Sequence, residues 1–285
     1  MAIDISQRIR DNYASFSKGQ KKIANAVLND YEKTAYMTAG RLGNLVGVSE
    51  STVVRFANEL GYEGYSEFQR AIQTLAKSKL TPNQRIELTK ERMMRGDIIE
   101  NVMTQDIAKI RNTFEHLSRD DFFGAVNAII NAKNVYVIGA RSANTLAQFL
   151  GYNLSLIFDN IRIIQPNSSA EIFEQMFTIG ENDVLIAFSF PRYSSKIVNA
   201  VKFAKQSGAS VIAFTDTAVS PIAGFATHLM LAQSDMASFM DSFVAPMSII
   251  NAMMIHITHK RERDIRARFD RLEQVWDEYD VYTKK

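Results

Sequence analysis

The 285-residue sequence contains no cysteine, so it can form neither a disulfide nor a thiolate metal site. Its charges nearly balance, at a formal net charge of +2, and this balance by itself indicates no class of partner. The longest apolar run, FVAPMSIINAMMIHI at 243–257, contains a proline and is short for a bilayer span. The amino-terminal MAIDISQRIR lacks the apolar core of a signal peptide. We therefore expect a cytoplasmic protein with no membrane partner.

Residue patterns divide the chain into four parts. Residues 1–77 carry apolar residues at helical spacing and no convincing strand, which predicts an all-α domain. Residues 78–119 begin as a polar linker around Pro82 and continue as a connecting helix. Residues 120–262 alternate between short apolar runs and helical patterns, and residues 263–285 are typical of a charged carboxy-terminal helix.

The second domain is predicted to be an α/β domain. Its apolar runs are rich in Val, Ile and Phe, and they are short enough to be buried strands. Strands that alternate with helices and are apolar on both faces are typical of a parallel sheet covered on both sides. The sequence therefore predicts a doubly wound, five-stranded parallel sheet flanked by helices. The predicted strands are 135–140, 161–165, 184–189, 210–215 and 228–232.

Residues 38–69 of the first domain predict two short helices joined by a tight turn. Gly47 is placed to end the first helix in the left-handed conformation, and Ser49 to cap a second helix that begins at Glu50. This geometry lays the second helix in the major groove of DNA, although a plain helical hairpin with a solvated face has the same pattern. The predicted buried stripe of the second helix is Val53, Phe56, Ala57 and Leu60.

The opposite face of that helix carries short polar side chains followed by an arginine, which suits contact with base edges and phosphates. Lysines on the preceding helix could add phosphate contacts, although exposed lysines often only increase solubility. The predicted DNA contacts are Ser49, Glu50, Ser51, Thr52, Arg55 and Asn58, with Lys18 and Lys22.

Two predicted strands end in hydroxyl-bearing loops, VYVIGARSAN at 135–144 and FSFPRYSS at 188–195. The carboxyl ends of parallel strands meet at one edge of a sheet, where the unpaired N–H groups of the next helices attract anions. The serines could equally be ordinary helix caps. Only one glycine lies in GARSAN, so we predict no dinucleotide and no other cofactor. The predicted ligand-binding residues are Gly139, Arg141, Ser142, Ser189, Arg192, Ser194 and Ser195, with Glu171 from the preceding helix.

The first domain resembles the helix-turn-helix domain of RpiR-type bacterial transcriptional regulators, whose pattern runs through Gly-Val-Ser and Thr-Val-x-Arg-Phe. The resemblance implies binding to an operator in double-stranded DNA. It departs at Arg41, where Glu is usual, and at Gly43, where Ala is usual; this glycine should weaken its helix by about 1 kcal/mol. The matching residues are Thr38, Leu42, Gly47, Val48, Ser49, Thr52, Val53, Arg55, Phe56, Leu60 and Gly61.

Residues 122–262 resemble a sugar isomerase (SIS) domain, which usually accompanies this helix-turn-helix domain. In that family, loops of the form Gly-x-Gly-x-Ser and Ser-x-Ser-Gly-x-Thr hold a phosphosugar. Ser142 aligns with the serine of the first loop, and Ser189 with the first serine of the second loop. Pro191 and Arg192 stand where Ser and Gly are usual, which adds a fixed positive charge. The resemblance implies an anionic, phosphorylated sugar ligand, although Arg192 could instead cross a dimer interface.

Isomerisation of a sugar phosphate needs a positioned acid and base, usually a carboxylate and a histidine. Glu171 is a carboxylate placed to reach the sheet edge, and none of the four histidines is its evident partner. We therefore predict a sensor rather than an enzyme, namely a transcriptional regulator whose operator affinity changes with its ligand. A phosphosugar isomerase with an accessory helical domain is the alternative. We expect a homodimer or a dimer of dimers, with the helix predicted at 236–254 either forming its surface or filling the domain core.

Overall fold

A computed structural model describes residues 5–79, 81, 83–86, 97–235 and 239–282. The amino-terminal part is entirely helical, as the sequence predicted. Serine, aspartate and threonine side chains cap its second, third and fourth helices by accepting hydrogen bonds from backbone N–H groups of the first turn. The helices are α1 (Ile5–Asn12), α2 (Lys18–Asn29), α3 (Tyr31–Thr34), α4 (Ala39–Val46), α5 (Glu50–Glu59) and α6 (Tyr65–Lys79).

The core of this helical domain is aromatic. Phe56 of α5 packs edge-on against Phe16 and Phe68, with ring centroids 5.0 Å and 5.6 Å apart. Val53, Ala57 and the other residues of the predicted stripe are buried with it. The packing fixes which face of α5 points away from the domain.

The carboxy-terminal part alternates between helices and strands. Its elements are α7 (Ile98–His116), α8 (Arg119–Asn131), β1 (Val135–Gly139), α9 (Asn144–Ser155), β2 (Ile161–Ile163), α10 (Ser169–Gln175), β3 (Val184–Phe188), α11 (Ser195–Gln206), β4 (Ser210–Thr215), β5 (His228–Leu231), α12 (Val244–Lys260) and α13 (Glu262–Glu278).

The five strands form one parallel sheet in the order β2-β1-β3-β4-β5, which confirms the predicted doubly wound fold. Alternate strand residues face opposite sides. Val135 and Val137 pack with α8, α9 and α12, whereas Tyr136 and Ile138 pack with α10 and α11. Because β2 and β3 lie on opposite sides of β1, the chain changes direction between β1 and β3, and a crevice opens there at the carboxyl ends of the strands.

The helix predicted at 236–254 begins only at Val244, and the described residues before it, 239–243, are irregular. Pro246 lies in the first turn of α12, where its missing N–H would have no partner in the helix. Ile249, Ile250 and Met253 are buried against the sheet, so this helix fills the core of the domain. In the part of the chain that the structure describes, no helix combines the length and the apolar character that crossing a bilayer requires.

Candidate DNA interface and ligand pocket

The turn between α4 and α5 is built by three residues. Gly47 ends α4 in the left-handed conformation at φ 69°, and the Ser49 hydroxyl accepts a hydrogen bond of 3.3 Å from the Thr52 N–H. A Cβ atom on Gly43 would lie 2.7 Å from the Val48 carbonyl oxygen. The close approach of the two helices therefore depends on a glycine at position 43.

The residues predicted to contact DNA lie together around the start of α5. Arg55 donates a hydrogen bond of 3.4 Å from Nε to the Ser51 carbonyl oxygen, so its guanidinium stays over the first turns of the helix. The Ser49 hydroxyl also lies 2.9 Å from Ser51 Oγ and 2.8 Å from Thr52 Oγ1. Thr52 is half-buried, and the exposed members of the set are Lys18, Lys22, Ser49, Glu50, Ser51, Arg55 and Asn58.

Helix α2 adds positive charge to this surface. A Cβ atom on Gly19 would lie 3.3 Å from Val48 Cγ1, so the start of α2 packs on the turn. The Lys22 ammonium lies 3.9 Å from the Cβ position of Gly47. The amino terminus of α5 and the lysines of α2 thus form one surface, which suits a negatively charged backbone.

A cavity of about 260 Å³ lies at the carboxyl ends of β1 and β3, the crevice that the strand order creates. Arg141 and Ser142 of the first loop line it, and so do Ser189, Arg192 and Ser194 of the second. Gly139 ends β1 beneath the first loop, where a Cβ atom would lie 2.5 Å from the Ala143 carbonyl oxygen. The structure therefore brings both predicted loops to one cavity.

The serine hydroxyls of the cavity are available to a ligand. Ser189 Oγ is buried and has no hydrogen-bond partner among the described residues. Ser194 occupies the cap position of α11 without a capping bond from its side chain, and α9 likewise has no side-chain cap. Ser168 does cap its helix, since it accepts a hydrogen bond of 3.1 Å from the Glu171 N–H. Ser189 and Ser194 thus differ from an ordinary capping serine.

Both loop arginines adopt a left-handed backbone conformation, with φ 57° at Arg141 and φ 65° at Arg192. This conformation costs a residue with a Cβ atom roughly 1–2 kcal/mol. Arg192 stands where the resemblance places glycine, and it keeps the backbone conformation that glycine favours. The loop therefore carries a positive charge at a position with a left-handed backbone.

Three predicted ligand residues, Gly139, Ser195 and Glu171, lie outside the lining of the cavity. Ser195 is the exposed first residue of α11, and Glu171 is exposed in the first turn of α10. The cavity lining given by the described residues includes none of the three.

Two charged residues of the cavity were not predicted from the sequence. Arg85, from the helical segment at residues 83–86, donates from Nη1 to Asp241 Oδ1 at 2.9 Å, and both side chains are nearly fully buried. Burial raises the pKa of Asp241, although Arg85 and Arg192 act in the opposite direction. No motif marks either residue, because Arg85 lies in a polar linker and Asp241 in a stretch that was interpreted as helix.

The four histidines lie outside this cavity lining. His116 is one of the residues that line a separate cleft, and His228 Nδ1 is 3.7 Å from Asp121 Oδ1. His256 packs against the ring of Phe123, and His259 lies beside it in an apolar groove. The described lining thus pairs arginines and hydroxyls with a single carboxylate, that of Asp241.

Comparison with known proteins identifies both domains. Residues 3–79 match the model of the helix-turn-helix domain of the rpiR family, and residues 128–256 match the model of the SIS domain. An uncharacterized HTH-type transcriptional regulator of Caldanaerobacter subterraneus subsp. tengcongensis is 25% identical over 92% of this chain and 93% of that protein.

Two solved structures share the fold. The sugar isomerase domain of an RpiR transcription factor from Sphaerobacter thermophilus has a TM-score of 0.59 at 25% identity, over 63% of this chain and 99% of that one. The Vibrio vulnificus NanR protein complexed with ManNAc-6P has a TM-score of 0.62 at 18% identity, over 98% and 100%. The chain belongs to the RpiR-type family of helix-turn-helix transcriptional regulators that carry a SIS domain.

Proposed function

We propose that this regulator binds an operator in double-stranded DNA through α5 and senses a phosphorylated sugar in the cavity at the ends of β1 and β3. The observation that carries the ligand proposal is the buried, unpartnered hydroxyl of Ser189 in a cavity that Arg141 and Arg192 also line. A buried hydroxyl without a partner costs roughly 1–3 kcal/mol, which a ligand oxygen would recover.

The chemistry of the lining supports an anion. Arginine presents planar N–H groups that match the geometry of phosphate, and serine hydroxyls can donate hydrogen bonds to the remaining phosphate oxygens. The cavity, of about 260 Å³, has room for a small sugar derivative. Arg141, Ser142, Ser189, Arg192 and Ser194 are the proposed contacts. Gly139 is proposed to contribute from beneath the first loop, and Ser195 and Glu171 contribute only if the loops move.

We propose a sensor rather than an enzyme. None of the four histidines and no glutamate belongs to the described lining of the cavity, so an acid and base pair for isomerisation lacks support there. The related protein described above is also named a transcriptional regulator. An isomerase with an accessory helical domain stays the second candidate, and turnover of hexose or amino-sugar phosphates would favour it.

We propose that the protein acts as a homodimer or a dimer of dimers. Helix α7 exposes one apolar stripe, whose members are between 39% and 69% exposed and recur at three- and four-residue spacing. Such a stripe is typical of a surface that pairs with a second helix. The stripe consists of Ile99, Met103, Ile107, Ile110 and Phe114.

The coupling between ligand binding and operator binding follows from thermodynamic linkage. A ligand changes operator affinity only by the difference in its affinity for the two arrangements of the dimer. Two recognition helices use two half-sites only when they lie about 34 Å apart, so a small rotation at the sensor domains weakens DNA binding. In this proposal the DNA-binding domain comprises residues 1–77, the linker and connecting helix 78–119, the SIS domain 120–262 and the carboxy-terminal helix 263–285. Because its target is DNA, we propose a cytoplasmic location.

Thermal unfolding in the presence of candidate ligands tests the proposal. Hexose and amino-sugar phosphates, with N-acetylmannosamine 6-phosphate among them, are added to the wild type and to Ser189→Ala, Arg192→Gln and Arg271→Gln. Arg271 is exposed on α13, outside the cavity lining, and serves as the control. We expect at least one compound to raise the Tm of the wild type and of the control, and to do so much less in the two cavity variants. An equal shift in all four proteins would show that the ligand binds elsewhere.

A further inference from the structure

The cavity wall includes a residue from the segment that connects the two domains. Arg85 lies in the helical segment at residues 83–86, which follows the helical domain, and its side chain is 4% exposed. Its partner Asp241 lies in the irregular stretch before α12, and both residues line the cavity together with Ser189 and Arg192. A linker arginine and a cavity carboxylate are thus paired where the anion is proposed to bind.

The neighbouring residue of the linker contacts the helical domain. Gln84 donates from Nε2 to Glu32 Oε1 of α3 at 3.1 Å. Its Oε1 accepts from the Thr81 N–H at 2.8 Å, and its own N–H donates to Thr81 Oγ1 at 3.3 Å. This reciprocal capping arrangement fixes the Gln84 side chain to the start of the segment. Two consecutive residues, Gln84 and Arg85, therefore contact the two domains.

We propose that Arg85 transmits ligand binding to the helical domain: the bound anion takes the Arg85 guanidinium from Asp241, and the segment at 83–86 shifts with it. This inference rests on the function proposed above and names the regulation of the same site. The carboxylate of Asp241 acts as an internal competitor for the anion, and the Gln84–Glu32 contact carries the displacement to α3.

The exchange is favoured by the chemistry of the two anions. Arginine binds phosphate through two parallel N–H bonds, whereas Arg85 gives Asp241 one bond, from Nη1. Burial disfavours the charged form of Asp241 and raises its pKa, and the charge of Arg85 acts against this shift. After the exchange Asp241 keeps Arg192 as a nearby positive charge and can accept hydrogen bonds from sugar hydroxyls.

Titration with inorganic phosphate separates this inference from the proposed pocket. Removal of the competitor in Asp241→Asn should tighten phosphate binding on the order of tenfold, and Arg85→Gln should weaken it by a similar factor. Ser189→Ala reports on the pocket itself. Should Arg85→Gln unfold because the Asp241 carboxylate is left unpaired, the double variant Arg85→Gln/Asp241→Asn replaces it, and phosphate binding should again be weaker than in Asp241→Asn alone.

A distance measurement tests the transmission. The chain has no cysteine, so Asn29→Cys and Gln206→Cys, at exposed positions of α2 and near the end of α11, accept a pair of spin labels. Saturating phosphate should change the interlabel distance when Arg85 is present and leave it unchanged in Arg85→Gln or its double variant.

The outcomes are distinguishable. If Ser189→Ala loses phosphate binding while the Arg85 and Asp241 variants bind as the wild type does, the pocket stands and the transmission is wrong. A phosphate-dependent distance change that persists without Arg85 also overturns the transmission. If the wild type and Ser189→Ala bind phosphate equally, the proposed pocket fails together with this inference.

Discussion

Tyr193 and Asp216 join the two loops that follow β3 and β4. The phenol of Tyr193 donates a hydrogen bond of 2.9 Å to Asp216 Oδ1. Burial raises the pKa of Tyr193 above its ordinary value of 10.0, and the negative charges of Asp216 and Asp241 raise it further. The Tyr193 phenol therefore stays protonated, and its hydrogen bond connects the loop that carries Ser189 and Arg192 to the loop that follows β4.

Replacing Tyr193 with Phe should lower the free energy of unfolding by about 1–3 kcal/mol, because the buried hydrogen bond from the Tyr193 phenol to Asp216 is lost. The pKa of Tyr193 is higher in the folded than in the unfolded protein, so its contribution is present below pH 10 and is lost as the pH rises above it. Urea unfolding at neutral and alkaline pH checks this, with Tyr279→Phe, at an exposed position, as the control. Equal alkaline losses in the wild type and in Tyr193→Phe would contradict the assignment.

Arg192 combines a positive charge with a left-handed backbone, and two substitutions separate these features. Arg192→Gly removes the charge and relieves roughly 1 kcal/mol of backbone strain, whereas Arg192→Gln removes the charge alone. We expect both variants to bind phosphate at least tenfold more weakly, and only Arg192→Gly to match or exceed the wild type in Tm. The idea fails if Arg192→Gln binds phosphate as tightly as the wild type.

Gly43→Ala should destabilise the helical domain by about 1–3 kcal/mol, since the new Cβ atom would lie 2.7 Å from the Val48 carbonyl oxygen. Gly64→Ala is the matched control, because nothing lies within 4 Å of its Cβ position. Denaturant unfolding followed by circular dichroism compares the two. Similar midpoints would mean that the α4–α5 turn yields easily to the extra methyl group.

Arg55→Ala should weaken binding to DNA from upstream of the protein's own gene, and should lower the salt dependence of the affinity by about one released counterion if Arg55 contacts a phosphate. Fluorescence anisotropy over a series of salt concentrations measures both quantities. Arg271→Ala removes an arginine that is exposed on α13 and should leave them unchanged. Unaltered binding by Arg55→Ala would exclude this face of α5 as the DNA contact.

Ile107→Glu should weaken the proposed dimer, because it places a charge in the middle of the apolar stripe of α7. Ile107 is 58% exposed in one chain, so the substitution should leave the Tm of the monomer nearly unchanged. Sedimentation velocity over a range of concentrations checks the shift toward monomer. Glu115→Lys, a charge change near the end of the same helix, is the control. A dimer unaffected by Ile107→Glu would place the interface elsewhere.

The sequence predicted the sheet well because its signal is local. Each of the five strands is a short apolar run between turn residues, and the observed bounds differ from the predicted ones by two residues at most. The helix predicted at 236–254 was too long at its start, because apolar Phe and Met residues before Val244 line the cavity instead of a helix face. Gly43 was interpreted as a weak point of α4, since only the three-dimensional structure shows the Val48 carbonyl beside it.

Within the candidate site, the location of a residue could be predicted where the residue follows a strand. Ser142, Ser189 and Arg192 could be placed at one sheet edge, because parallel strands bring their carboxyl ends together. Arg85 and Asp241 are 156 residues apart, and neither belongs to a periodic pattern. Their pairing depends on how the linker packs on the second domain, which no short stretch of sequence encodes.

The residues that line the cavity come from two kinds of segment. Its serine-bearing loops extend from strands in the centre of the sheet, whereas Phe239, Met240, Asp241 and Phe243 belong to an irregular stretch before α12. Substitutions in this one segment therefore change the shape of the cavity, while the two serine-bearing loops stay as they are.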